Sequence, residues 1–73
     1  MVTNDTKQAI QLVLFGQMYT FIIVYPKSHH SSFVNDLINF GMFVQKNELI
    51  VSKSISHFVV NWWEDKGYEI ELI

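Results

Sequence analysis

The sequence predicts a small α+β domain in which two helices cover one face of an antiparallel sheet. Three observations predict this class. Runs of β-branched and aromatic residues alternate at a period of two, later segments carry apolar residues at helical spacing, and each of the three glycines falls where a periodic segment ends. Residues 1–7 are polar and are expected to form a flexible N-terminus, so that residues 8–73 make up the single domain.

Two strands joined by a tight turn are predicted at the start of the domain. Apolar residues alternate along residues 8–15, which suits a strand, although a helix capped by Asp5 is the alternative. Residues 18–25 are the richest in β-branched and aromatic side chains, and both faces of this segment are apolar. Such a pattern is typical of a strand that is covered on both sides. Because Gly16-Gln17 suits a two-residue turn, the segments are expected to form a hairpin.

A short helix and a second hairpin are predicted next. Ser31 or Ser32 can cap a helix of about nine residues, which Gly41 would end by adopting a left-handed conformation. The runs 42–46 and 48–52 are short and rich in β-prone residues, which predicts a pair of strands.

A second helix is predicted, which Ser54 or Ser56 would open and which would run to Lys66, and it contains the most informative pair in the chain, Trp62-Trp63. Its predicted apolar face follows the spacing i, i+3, i+4 and i+7: Ile55, Phe58, Val59 and Trp62. Neighbours on a helix point about 100° apart, so Trp62 is expected to pack inward and Trp63 to lie at the edge or in solvent. The alternative is that Trp63 folds over the end of the sheet near Tyr68.

A terminal strand is predicted over residues 68–73, where apolar and acidic residues alternate after Gly67 stops the helix. The element order is then ββαββαβ, a ferredoxin-like arrangement with an extra N-terminal strand. Such a fold leaves one face of the sheet open, and we expect that face to make dimer or partner contacts. The side chains expected to make these contacts are Tyr19, Phe21, Ile23 and Tyr25.

The composition favours association over an isolated monomer. Of the 73 residues, 49 % are hydrophobic and only 16 % are charged, against a usual charged share of about 25 %. A chain of this size buries only about 60 % of the surface that its unfolded form exposes. The excess apolar surface must therefore be exposed or buried against a partner, which predicts a homodimer or a dedicated protein-binding face.

Several classes of function are disfavoured by what the sequence lacks. The chain has no cysteine, which excludes disulfides, thiolate metal sites and cysteine-based catalysis. It has no arginine and a net charge of −2, which argues against direct binding of nucleic acid. With no signal-like start and no apolar run long enough to span a bilayer, a cytoplasmic protein without membrane contact is expected. No metal or cofactor is expected either.

The candidate protein-binding residues lie in the C-terminal third, where carboxylates outnumber lysines. Tryptophan is enriched among the residues that anchor protein interfaces. An exposed tryptophan beside carboxylates therefore predicts an apolar anchor with an acidic rim, which would dock on a basic surface of another protein. The residues predicted to bind a protein are Trp63, Glu64, Asp65, Glu69 and Glu71.

No catalytic set of residues is recognisable in the sequence. His29-His30 lie in a polar loop, and they have no partner at a spacing typical of metal ligands. The leading hypothesis is a non-enzymatic protein-interaction module, a homodimeric regulator or inhibitor of the phage or mobile-element type that covers a basic nucleic-acid-binding surface of a host protein. The alternatives are a small-ligand sensor that uses the open sheet face or dimer cleft, a small enzyme based on His29 or His30, and a single-strand nucleic-acid binder.

Overall fold

The computed structural model describes residues 5–72, which form a three-stranded antiparallel sheet with helices on one face. The strands are β1 (Asp5–Leu14), β2 (Gln17–Pro26) and β3 (Glu69–Leu72). A short 3-10 helix (Lys27–His29) is followed by α1 (His30–Lys46), α2 (Glu48–Lys53) and α3 (Ile55–Asp65). β2 is the central strand and pairs with both neighbours. The predicted α+β class is confirmed.

β1 and β2 form a hairpin whose register is continuous over ten residue pairs. The turn residues are Phe15-Gly16, one position earlier than predicted, and their φ angles are 51° and 80°. Positive φ at both central positions is the requirement of a type I′ turn, whose twist matches that of the two strands. Residues 8–14 are thus a strand and not the alternative helix. β1 begins at Asp5, so residues 5–7 of the predicted flexible segment are paired, and residues 1–4 lie outside the described residues.

The predicted second hairpin is wrong, because residues 42–46 and 48–52 are helical. α1 continues through Gly41, which keeps a negative φ, and the order over residues 5–72 is ββαααβ instead of the ferredoxin-like ββαββαβ. Phe40 and Val44 explain this for α1, since they extend its buried face through residues 42–46, and Val51 is the buried residue of α2. Burial on that face overrides local β propensity, which depends strongly on context.

The core lies between the helices and the inner face of the sheet. Its members are Ile10, Leu14, Phe21, Ile23 and Tyr25 from the sheet, Phe33, Phe40, Val44, Val51, Val59 and Trp63 from the helices, and Tyr68 from the turn before β3. This placement corrects the predicted open-face contacts, because Phe21, Ile23 and Tyr25 are buried beneath the helices and Tyr19 is half-buried beside them.

The opposite side of the sheet, called the outer face here, is not covered by any helix or strand among residues 5–72. Alternation along the three strands places twelve side chains on it: Asp5, Lys7, Ala9, Gln11, Val13, Met18, Thr20, Ile22, Val24, Pro26, Glu69 and Glu71. β2 is therefore apolar on both faces, as predicted, but is covered on one face only within the described chain. In the same range, no helix combines the length and apolar character needed to cross a bilayer.

Candidate interaction surfaces

Trp63 is completely buried, with an exposed fraction of 0 %, whereas Trp62 is only half-buried. The structure thus reverses the predicted orientation of the pair. The ring of Trp63 lies 5.7 Å from that of Phe33, 5.4 Å from that of Phe40 and 5.2 Å from that of Tyr68, measured between centroids. A side chain enclosed in this way cannot anchor a partner. The alternative prediction, packing near Tyr68, is confirmed.

The reversal is explained by the rotation of α3 about its own axis. Val59 and Trp63, one turn apart, carry the buried side of the helix, while Phe58 and Trp62 line its flank. The buried face is rotated by roughly 70° from the predicted one, given about 100° per residue. The Trp62 ring packs 5.1 Å from that of Phe40, and the Lys66 ammonium group lies 5.0 Å from the Trp62 centroid. The partly exposed tryptophan thus carries a cation at its surface.

The acidic residues predicted beside Trp63 lie in two different layers. Glu64 and Asp65 are exposed at the C-terminal end of α3, where the helix dipole disfavours negative charge. Glu69 and Glu71 project from β3 onto the outer face. Lys7 Nζ lies 3.7 Å from Glu71 Oε1, and both side chains are more than half exposed, so this ion pair contributes little to stability. Only Glu69 and Glu71 therefore belong to the surface of the sheet.

The outer face combines an apolar centre with an acidic edge. Val13 and Met18 form a cross-strand pair and are 59 % and 61 % exposed. Ile22 is half-buried, and Val24, which is only 8 % exposed, lies between its cross-strand neighbours Lys7 and Glu69. Apolar residues that lie in a row beside a charged edge are characteristic of protein-binding surfaces.

Two concave regions lie at opposite ends of the sheet. A groove of about 280 Å³ separates the start of β2 from α3, and it is lined by Met18, Tyr19, Thr20, Phe21, Ile55, Ser56, Val59 and Leu72. A cleft of about 230 Å³ is lined by Asp5, Val24, Tyr25, Pro26, Gly67 and Glu69. Most of the residues that line the groove are apolar, and Tyr19 is the only titratable one of them among residues 5–72, so the groove suits a small, partly apolar ligand better than acid–base chemistry.

Within residues 5–72, none of the histidines pairs with a carboxylate. His30 Nδ1 lies 2.8 Å from the Tyr25 hydroxyl, and Asp36 Oδ2 accepts a hydrogen bond of 2.7 Å from the Tyr68 hydroxyl. Burial raises the pKa of Tyr25, and burial followed by the hydrogen bond to Asp36 raises the pKa of Tyr68 far above its ordinary value. These contacts hold β2 and the turn before β3 against α1. No group of three potential ligands within residues 5–72 could hold a metal ion.

The structure brings together the residues of a candidate binding surface, which sequence reasoning identified only in part. Glu69 and Glu71 were predicted, whereas the apolar side chains beside them, such as Met18 and Ile22, were missed as contacts. The signal was present in the second apolar face of residues 18–25. Protein-family models, curated proteins and solved structures were each compared with the chain, and none of them matched it.

Proposed function

We propose that this protein is a non-enzymatic interaction module, a homodimeric regulator or inhibitor that binds another protein through the outer face of its sheet. The observation that supports this function is the uncovered apolar centre of that face beside Glu69 and Glu71. A partner with a basic surface, such as one that binds nucleic acid, complements the two carboxylates. The chain itself would contact neither nucleic acid nor membrane.

The two parts of the outer face have different roles in this proposal. Removing the apolar centre from water contributes a favourable transfer free energy of about 25 cal/mol per Å² of apolar surface, and the affinity is what remains after the entropy lost on association is subtracted. The carboxylates add orientation and a faster association rate, because complementary charges steer the encounter. The partner should therefore present an apolar patch that is bordered by lysine or arginine.

The test compares two charge reversals of equal size. Glu69→Lys with Glu71→Lys changes the outer face, and Glu64→Lys with Asp65→Lys changes the end of α3 by the same four units of charge. Each variant is immobilised and used to capture proteins from native lysate, and circular dichroism verifies its fold. We expect the first variant to lose a basic partner that the wild type retains, and the second variant to keep it.

The opposite pattern would contradict the outer face as the binding surface. Loss of the partner only when Glu64 and Asp65 are reversed would move the site to α3, and retention by both variants would exclude the carboxylates altogether. If the outer-face reversal fails to fold, Glu69→Gln with Glu71→Gln removes the same charges without placing new cations beside Lys7.

The groove between β2 and α3 favours a second candidate function, that of a small-ligand sensor. Its volume of about 280 Å³ lies just below the usual range for small-molecule sites, which begins at about 300 Å³. Thermal denaturation against a metabolite library separates the two functions. A rise in melting temperature with one compound, together with no protein captured from lysate, would replace the interaction module by the sensor.

A further inference from the structure

The free edge of β1 is long and exposed. All ten residues of β1 pair with β2 on one side, and no strand pairs with the other side among residues 5–72. Natural proteins usually protect such an edge with charges, proline, a bulge or a short strand. Residues 8–14 contain no charge, proline or glycine, and the register with β2 has no bulge. This edge therefore lacks the usual protection along most of its length.

The hairpin turn determines which backbone groups point toward this edge. Leu14 and Gln17 flank a two-residue turn and so form a hydrogen-bonded pair. Because such pairs alternate along an antiparallel ladder, the even-numbered residues of β1 direct their N–H and C=O groups to β2. The odd-numbered residues direct theirs to the free edge, and all of them are exposed: Asp5, Lys7, Ala9, Gln11 and Val13.

The opposite edge of the sheet is protected. Among residues 5–72, β3 has four residues, two of which are Glu69 and Glu71, and charged side chains on an edge strand resist pairing with another chain. The two edges of one sheet are thus built differently. This contrast indicates that β1 is the edge that receives another strand.

We propose that two copies of this chain pair antiparallel through β1 and form one continuous six-stranded sheet with all helices on the same side. This inference rests on the homodimer in the proposed function and specifies its interface. The charges of β1 determine the orientation, since Asp5 and Lys7 both lie near one end. Antiparallel pairing separates the like charges of the two copies, whereas parallel pairing would place each charge opposite its own copy. The dimer closes about a twofold axis and leaves only the two protected β3 edges.

A twofold axis at Ile10 gives the register that best covers the exposed side chains. Ala9 then lies opposite the partner's Gln11, and Lys7 lies opposite the partner's Val13. The aliphatic part of the lysine covers the valine, which is 59 % exposed in the single chain. The two copies of Ile10 meet on the inner face. Each hydrogen-bonded pair supplies two bonds, so this register forms about eight backbone hydrogen bonds.

The first test blocks the edge without removing a bond from the monomer. Ala9→Pro deletes one N–H group that points to the free edge, and proline is accepted on edge strands. We expect sedimentation equilibrium to show a dimer for the wild type and a monomer for the variant, with the same far-ultraviolet circular dichroism spectrum.

The second test checks the register with two variants that differ only in the sign of the charge placed at residue 13. Val13→Glu would face the partner's Lys7 with an opposite charge, and Val13→Lys would face it with a like charge. Because each contact occurs twice in the dimer, we expect the dimer Kd values of the two variants to differ by about tenfold. Met18→Glu and Met18→Lys are the matched control, since Met18 lies on the same face but on β2, and these two should differ little.

The possible outcomes distinguish a failure of the β1 pairing from a failure of the proposed interaction function. A wild-type chain that stays monomeric at millimolar concentration would exclude both the β1 pairing and the homodimer, while capture of a basic partner would still test the outer face. A wild-type dimer that Ala9→Pro leaves intact would exclude β1 and keep the homodimer. If Ala9→Pro does not fold, equal Kd values for the two Val13 variants would exclude the proposed register.

Discussion

Trp63 is the largest fully buried side chain among residues 5–72, although its polar atom is left without a partner there. The ring contacts aromatic residues from α1 and from the final turn, yet its Nε1–H group is buried and has no acceptor among residues 5–72. An unpaired buried donor costs about 1–3 kcal/mol. Burial of so large an apolar ring offsets that penalty, so Trp63 is a structural residue.

Substitutions at the two tryptophans should have unequal effects. We expect Trp63→Ala to lower the free energy of unfolding by about 3–5 kcal/mol, because it leaves a large cavity between the sheet and the helices. Trp63→Phe should cost less, since it also removes the unpaired donor. Trp62→Ala is the control, and it should cost less than Trp63→Ala because Trp62 is half-buried. Urea denaturation measures all three, and a larger loss for Trp62→Ala would restore the orientation that the sequence predicted.

Among the elements, the strands and α3 were predictable from the sequence, whereas α1 was predictable only in its first half. The strands show a period of two, and α3 shows helical spacing, so a single pattern governs each of them. In residues 42–46 the β-prone side chains also continue the buried face of α1, and the position of Gly41 suggested a helix end. The β-prone side chains and the position of Gly41 both favoured a strand after the helix. Only contacts with the core decide between a strand and a continued helix.

The path of α1 through Gly41 leads to a stability prediction. A glycine inside a helix destabilises it by about 0.5–1 kcal/mol relative to alanine, and a Cβ added at Gly41 would meet no atom within 4 Å. Gly41→Ala should therefore raise the free energy of unfolding by about that amount. Gly16→Ala is the matched control, because its Cβ also meets nothing but its φ is +80°, so it should destabilise. Thermal and urea denaturation measure both, and a destabilised Gly41→Ala variant would indicate that another chain packs at this position.

At the scale of the whole molecule, the sequence predicted an open sheet face but assigned it to the wrong side of β2. Both faces of β2 are apolar, so alternation alone cannot decide which one the helices cover. The choice depends on long-range contacts, in which Phe33 of α1 stacks on Tyr25 at 4.4 Å and Tyr68 bonds to Asp36. These contacts join β2, α1 and the final turn, and they leave Ile22 and its neighbours on the outer face.

The contacts of Tyr25 and Tyr68 that join β2, α1 and the final turn also make the stability of the whole fold sensitive to alkaline pH. Unfolded tyrosines ionise near pH 10, whereas the pKa values of Tyr25 and Tyr68 are raised in the folded chain. Their contribution is fully present below pH 10 and is lost as the pH rises toward the folded pKa values, because the unfolded state then binds fewer protons. The free energy of unfolding should fall by up to about 1.4 kcal/mol per pH unit for each tyrosine.

The Tyr68→Phe variant should be less stable than the wild type at neutral pH, since the substitution leaves Asp36 without its donor. Its free energy of unfolding should nevertheless decline less steeply above pH 10. Urea denaturation between pH 8 and pH 11 measures both slopes, and because the lysines are common to both proteins, equal slopes would contradict the role assigned to Tyr68.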